Sequence, residues 1–109
     1  MIPETRHSKY HNRKTTIDNI TFDSAKEARR YIELKLLKRA GKITNFFVHP
    51  VFELEVNGRI IGKYIADFEY VENGKYIIED VKSNPTRTPL YIYKKKLLKA
   101  IYGYDIKEV

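Results

Sequence analysis

Three residues in the second half of the chain have side chains suited to phosphodiester chemistry. Asp67 lies in the segment YIADFEY, and Asp80 and Lys82 lie in IIEDVKS further along the chain. Two converging carboxylates can hold Mg²⁺, and the ion can bind a phosphate and lower the pKa of an attacking water. The Lys82 ammonium can orient that water or stabilise the charge that develops on the phosphate. These residue types therefore fit metal-dependent hydrolysis of a phosphodiester bond.

The segments that carry these residues read as neighbouring strands. Asn73-Gly74 predicts a tight hairpin turn between them, so we expect Asp67 to lie beside Asp80. Side chains alternate along a strand, which should turn Ala66 and Phe68 away from the face that carries Asp67. The predicted pairing brings the two carboxylates to one place on the sheet.

An acid followed two residues later by lysine is a weak signal by itself. The chain has three such triplets, namely Glu33-Leu34-Lys35, Asp80-Val81-Lys82 and Asp105-Ile106-Lys107. The first lies in a predicted helix, where positions two apart do not share a face, and the third has no strand acid at a comparable distance upstream. Only the second triplet lies on a predicted strand and has another strand acid at a suitable distance upstream. Its alternative is a set of cross-strand salt bridges on a solvated sheet face.

Composition limits the class of protein. The 109 residues include 21 Lys and Arg, 14 Asp and Glu and no cysteine, with a net charge of +7. This length predicts one domain. The missing cysteines exclude disulfides and a thiol nucleophile, and they favour a hard metal ion held by oxygen. The basic balance predicts an anionic partner, with DNA as the first candidate and RNA left open.

Hydropathy gives no sign of a membrane partner or of export. No apolar run reaches the length of about 18 residues that a membrane span needs, and the N-terminal residues lack the apolar core of a signal peptide. We therefore expect a cytoplasmic protein.

Turn and cap signals predict the elements at the start of the chain. Residues 1–14 read as a basic arm, and Asp18-Asn19 predicts a hairpin within residues 15–22. Ser24 has the spacing of an N-cap, and Gly41 ends the helix that follows. The first helix is the clearest element of the sequence.

The middle of the chain is rich in β-branched and aromatic residues and predicts an antiparallel meander. Its strands are expected over residues 43–48, 51–56, 59–71 and 75–82. Thr88 and Pro89 begin a second helix that ends at Gly103, and a short strand closes the chain. The pattern predicts a single α+β domain over residues 15–109, sandwich-like, with helices packed on a mixed central sheet.

The motifs resemble those of the PD-(D/E)XK nuclease superfamily. Glu27 stands on the first helix, Asp67 on a strand, and Asp80-Val81-Lys82 on the next strand. More closely, KYHNRKTTIDNITFDSAKEARRYIELKLLKRAG, YIADFEY, IIEDVKS and the run from Tyr91 to Val109 are similar to a small family of phage and prophage proteins assigned to that superfamily. The resemblance covers nearly the whole chain and implies a restriction-endonuclease-like αβββαβ core. The sequence departs from the pattern at Ala66, where proline would stand.

The resemblance implies a site and an activity. Asp67 and Asp80 would be metal ligands, Lys82 the catalytic lysine, and Glu27 the residue that completes a Mg²⁺ or Mn²⁺ site. The implied function is a divalent-metal-dependent DNA endonuclease, structure-selective or linked to phage recombination or repair, in the cytoplasm of a bacterial host. A homodimer would supply the two sites needed to cut both strands. The alternatives are a non-catalytic nucleic-acid-binding module with the same fold, and a phage protein that binds a host protein.

Some assignments stay open at this level. Glu27 has capping-box spacing to Ser24, which gives it a structural role as an alternative. Glu33 is the competing helix acid, and six residues separate the two, so they point about 240° apart. Glu79 should face away from Asp80 and form a salt bridge or hydrogen bond. His49 precedes a proline at a strand break, which favours a structural role.

Several basic residues are candidates for contacting nucleic acid phosphates. They are Lys9, Arg13, Arg29, Arg30, Arg87, Lys94 and Lys95. For the lysines of the second helix, the alternative is an ordinary solvated helix face.

Overall fold

The computed structural model describes residues 13–83 and 86–109. The described part of the chain contains two helices and eight strands. In chain order they are β1 (Thr15–Ile17), β2 (Ile20–Phe22), α1 (Ala25–Arg39), β3 (Thr44–Val48), β4 (Val51–Val56), β5 (Arg59–Ile65), β6 (Phe68–Glu72), β7 (Lys75–Asp80), α2 (Pro89–Tyr102) and β8 (Ile106–Glu108).

The central sheet is mixed and has four strands in the order β3-β6-β7-β8. Pairing is antiparallel from β3 to β7 and parallel between β7 and β8. The hairpins β1–β2 and β4–β5 form two separate two-stranded sheets. The α+β class and the mixed sheet are therefore confirmed.

Each helix covers one face of this sheet. On the α1 face the buried core consists of Phe22, Ala28, Tyr31, Leu34, Ile43, Phe68 and Tyr70. On the α2 face it consists of Leu54, Tyr64, Ala66, Ile78, Tyr91, Leu98 and Ile106. The result is a sandwich in which the sheet carries an apolar layer on both sides.

Local turn chemistry forms the hairpins where the sequence predicts them. Asp18 and Asn19 have φ of 54° and 62°, and Asn57-Gly58 and Asn73-Gly74 are also left-handed at both positions. This conformation fits the two-residue turn whose twist matches paired strands, and Asn, Asp and Gly adopt it at low cost. These three turns set the register of every hairpin in the described residues.

The helix starts also follow their predicted caps. Ser24 Oγ accepts the Glu27 N–H at 3.1 Å, and Thr88 Oγ1 accepts the Tyr91 N–H at 3.1 Å. Both bonds satisfy an N–H that the first turn of a helix leaves without an internal partner. The first helix therefore begins at a fixed point, which places Glu27 in its first turn.

The predicted strand over residues 59–71 is wrong. The chain leaves β5 at Ile65 and enters β6 at Phe68, and the two strands belong to different sheets. Ala66 and Phe68 consequently do not share a face, because Ala66 packs in the α2 core and Phe68 in the α1 core. The expectation that both turn away from Asp67 on one side was also wrong.

The cause is a break in the partner strand. His49 has φ of 54° and Pro50 has no N–H to donate, so regular pairing stops between β3 and β4. Two backbone bonds cross the break, from His49 N–H to the Asp67 carbonyl at 2.9 Å and from Ala66 N–H to the Pro50 carbonyl at 3.1 Å. The β4–β5 hairpin therefore leaves the central sheet and packs on α2, instead of continuing a meander.

Candidate metal centre

The two strand acids lie side by side, as their predicted pairing requires. Asp80 is the last residue of β7, and its Oδ1 accepts the Asp67 N–H at 2.8 Å. Asp67 Oδ2 in turn accepts the Val81 N–H at 2.7 Å. These two bonds hold both carboxylates in fixed orientations at the strand break.

Two further side chains approach Asp67 from other elements. Glu27 reaches it from the first turn of α1, and His49 reaches it from the end of β3. Glu27 Oε2 lies 3.0 Å from His49 Nε2. One candidate ligand atom from each of Glu27, His49 and Asp67 lies within 4.8 Å of the other two. Two carboxylates and an imidazole thus converge on one point at the edge of the sheet.

Glu27 contacts both the start of its helix and the acidic cluster. Its Oε1 accepts the Asp23 N–H at 3.3 Å at the start of α1, while Oε2 faces His49. Glu33 turns away and pairs with Arg30 at 3.0 Å. Glu27, and not Glu33, is therefore the helix acid at this cluster.

His49 is a member of the cluster that the sequence did not indicate as a candidate ligand. It was expected to be structural, yet its ring stands beside two acids and its side chain is 37% exposed. The sequence contained a signal for this position. His49 precedes a proline that interrupts strand pairing, and a residue at such an interruption lies opposite the interruption in the paired strand. The expected all-oxygen donor set therefore gains a nitrogen.

Asp80 is hydrogen-bonded to Asp67 but is not one of the three residues whose ligand atoms converge, and one of its oxygens is unsatisfied. The residue is 2% exposed, and its Oδ2 has no hydrogen-bond partner among the described residues. A buried carboxylate oxygen is rarely left without a donor or a cation, because removing it from water is costly. This atom indicates that a water or an ion belongs here.

Lys82 lies close to the acids without a hydrogen bond to them in the described residues. Its Nζ stands 4.0 Å from the centre of the Tyr91 ring, which is a cation–π distance. Its backbone is fixed by bonds with the Val109 carbonyl and the Lys26 ammonium. The ammonium is thus held at the α2 side of the site.

Burial shifts the acids of the site towards their neutral forms. It raises the pKa of Glu27 to about 7, and the neighbouring Asp67 carboxylate adds to the rise. Burial raises the pKa of Asp80 to about 6, opposed by the Asp67 N–H bond and by the charge of Lys82. The pKa of Asp67 is also raised by burial, against its bond from Val81 N–H. A bound cation would relieve this crowding of negative charge.

These shifts predict that the metal-free protein loses stability as the pH rises. A carboxyl whose folded pKa exceeds its unfolded value contributes stability that is complete below the unfolded value and lost through the folded one. For Glu27 that window runs from 4.5 to about 7. We expect the melting temperature in chelator to fall across this window, and the fall to be smaller in Glu27→Gln. Glu33→Gln is the control, and an unchanged slope in Glu27→Gln would contradict the prediction.

Glu79 lies on the face opposite Asp80, as expected, and is the ion-pair partner of Arg30. It is fully buried on the face opposite Asp80, where it accepts bonds from Arg30 Nε at 2.6 Å, Arg30 Nη2 at 2.9 Å and the Tyr70 hydroxyl at 2.6 Å. Arg30 Nη1 binds Glu33. Each of the three guanidinium nitrogens therefore has a bond within the protein, which leaves fewer N–H groups of Arg30 for the predicted phosphate contact.

The other basic residues that were predicted to contact phosphates differ in their exposure and in their ion-pair partners. Glu108 accepts a bond from Arg87 Nε at 3.0 Å and another from Lys95 Nζ at 3.1 Å. Arg13 and Arg29 are exposed, and Lys94 is half-buried. Lys9 and residues 1–12 of the predicted arm lie outside the described residues.

Fold and site together define an α+β protein with a carboxylate–histidine cluster at the edge of a mixed sheet. The chain belongs to the family described as "Protein of unknown function (DUF1064)", whose model matches residues 7–108. No curated protein and no solved structure matches it. Within the described residues, neither helix has the length and apolar character needed to span a membrane.

Proposed function

We propose that the chain is a divalent-metal-dependent nuclease that hydrolyses phosphodiester bonds in DNA. The observation that carries this proposal is the convergence of Glu27, His49 and Asp67, with Asp67 hydrogen-bonded to the buried Asp80, whose Oδ2 has no partner among the described residues. The net charge of +7 supports an anionic substrate. Each part of the site comes from a different element, so the fold itself assembles it.

The order of elements supports a PD-(D/E)XK-type core. Helix α1 is followed by three antiparallel strands (β3, β6 and β7), then by α2 and by β8, which runs parallel to β7. The β4–β5 hairpin is then an insertion between the first and second core strands. This arrangement corresponds to the αβββαβ order that the resemblance implies.

The donor set fits a small divalent cation. Carboxylate oxygens suit Mg²⁺ and Mn²⁺, and one imidazole is compatible with Mn²⁺. Glu27, His49 and Asp67 would hold the ion, and Asp80 stands next to Asp67 as the further acid that the resemblance implies. When bound, the ion supplies Lewis-acid polarisation of the phosphate and lowers the pKa of a water.

The protein groups around the cluster prepare it for a phosphate. The Val81 N–H and the Asp80 carboxylate hold Asp67 from two sides, so its other carboxylate oxygen keeps one direction. The Lys82 ammonium, held over Tyr91, is close enough to oppose the rise in the pKa of Asp67 and Asp80. Its charge can stabilise the negative charge that builds up on the scissile phosphate.

Within this proposal the substrate is branched or single-stranded DNA formed in phage recombination or repair in a bacterial cytoplasm. The test is cleavage of branched, single-stranded and duplex DNA, and of RNA, with Mg²⁺ or Mn²⁺ and with chelator. Wild type should cleave only with the ion, and Asp80→Ala should lose the activity. Asp105→Asn, a change at an exposed acid outside the site, is the matched control.

Two results would contradict the proposal. The first is equal cleavage by wild type and Asp80→Ala. The second is salt-sensitive DNA binding by wild type with no ion bound in calorimetry, which would identify a non-catalytic binding module.

His49 should affect the choice of metal ion. A nitrogen ligand favours Mn²⁺ over Mg²⁺, whose preferred ligands are oxygens. We expect His49→Gln to weaken Mn²⁺ binding by roughly tenfold or more and Mg²⁺ binding by less. Calorimetry with each ion, in the absence of nucleic acid, measures both affinities. Equal losses for the two ions would show that His49 acts only through its contact with Glu27.

A further inference from the structure

The β4–β5 hairpin covers α2 with one face and leaves the other face bare. The α2 side carries Leu54 and Tyr64, both buried in the core. The opposite side, called here the outer face, is unusually apolar for an exposed surface. Its aliphatic residues are Val51, Ile60, Ile61 and Ile65, each between 51% and 58% exposed.

Two opposite charges stand in the middle of the outer face. Glu53 and Lys63 are directly opposed across the two strands, beside the pair formed by Val51 and Ile65. Opposed residues of unlike charge usually attract each other across a hairpin. Yet neither side chain forms an ion pair or hydrogen bond with any described residue. Glu55, which lies opposite Ile60, belongs to the same face, so the apolar outer face carries two negative charges and one positive charge.

We propose that the outer face binds the outer face of a second copy of this chain. A two-fold axis along the strands stacks β4 of each copy on β5 of the other. Val51 then meets Ile65 of the partner subunit, and Glu53 meets Lys63 of the partner subunit. Each contact occurs twice in such a symmetric interface, so two pairs of Glu53 and Lys63 form across it and the aliphatic side chains leave water.

The charges of the outer face favour a second copy of the chain over DNA or an anionic lipid surface. Glu53 and Glu55 lie on the outer face and would repel DNA phosphates or an anionic lipid surface. A second copy presents both signs at matching positions. The face is small, so we expect a dimer with a Kd on the order of micromolar. This inference does not depend on the nuclease proposal.

The test uses two charge variants of the full chain, Glu53→Lys and Lys63→Glu. The first puts lysine at both positions of the Glu53–Lys63 pair, and the second puts glutamate at both. Each variant alone should therefore lose at least tenfold in dimer affinity. An equimolar mixture should recover the dimer, because lysine in one copy then faces glutamate in the other. Sedimentation over a range of concentrations measures each case, and thermal melts check that both variants fold.

Two control variants distinguish an effect at the outer face from a general effect of the net charge of the protein. Lys107→Glu makes the same charge change on β8, away from the hairpin, and should leave dimerisation unchanged. Ile65→Asn removes apolar contact and should weaken the dimer. A wild type that stays monomeric up to several hundred micromolar, or a mixture no more dimeric than its two components, would overturn the proposal. So would a Glu53→Lys variant that dimerises as well as wild type.

Discussion

Asp67→Asn is expected to lower metal-dependent DNA cleavage by about a thousandfold or more while the protein stays folded. Asparagine keeps an oxygen that can accept the Val81 N–H, and its backbone N–H still reaches Asp80. What it loses is the negative charge beside Glu27 and His49. Since each 1.36 kcal/mol of transition-state stabilisation is worth a factor of ten, losing a metal-binding charge worth several kcal/mol gives this effect.

The measurement is kcat/KM on the best substrate, with Mn²⁺ affinity from calorimetry and the melting temperature alongside. Asp105→Asn changes an equivalent charge at an exposed position and should match wild type in all three. DNA binding in chelator should be little changed in Asp67→Asn, because one carboxylate contributes little to phosphate affinity. Cleavage within threefold of wild type would contradict the assignment of Asp67 to the site.

The features that the sequence predicts well are those decided within a few residues. Asn57-Gly58 and Asn73-Gly74 form their turns because both positions need a left-handed backbone. Ser24 caps α1 because its hydroxyl reaches an N–H three residues away. These local signals fix the register of β6 against β7, which is why the pairing of Asp67 with Asp80 was also predictable.

The features that it predicts poorly depend on contacts between distant segments. No residue between Ile65 and Phe68 is a strand breaker, so the break there reflects Pro50 on the partner strand. The same break turns His49 towards Asp67, which adds an imidazole to a site that was expected to hold oxygens alone. The alternation of apolar and polar residues predicts which face of a strand each side chain occupies. It does not predict where two paired strands bend together.

Arg30 shows that the role of a charged helix residue can also depend on a contact with a distant segment. Its position on α1 next to the exposed Arg29 suggested a contact with DNA. The structure instead brings Glu79 of β7 under it, and this hydrogen-bonded carboxylate holds the pKa of the guanidinium above its usual range. Glu79 lies 49 residues away in the sequence, so the periodicity of the helix gives no indication of this ion pair.

Arg30→Met should therefore destabilise the protein by about 3–5 kcal/mol, the cost of leaving a buried charge without its partner. Glu79 is fully buried and would retain the Tyr70 hydroxyl alone. Chemical denaturation measures the free energy of unfolding. Arg29→Met is the matched control at an exposed position on the same helix, where a change of about 0.5 kcal/mol or less is expected.

A second variant makes this prediction independent of whether Arg30→Met folds. In Arg30→Met with Glu79→Gln, the buried group is neutral and can still bond to Tyr70, so much of the lost stability should return. If Arg30 served DNA instead, Arg30→Met would weaken DNA binding at unchanged stability, and the second substitution would restore nothing. The expected result is the reverse, because three of the five N–H groups of Arg30 already bond to Glu79 and Glu33.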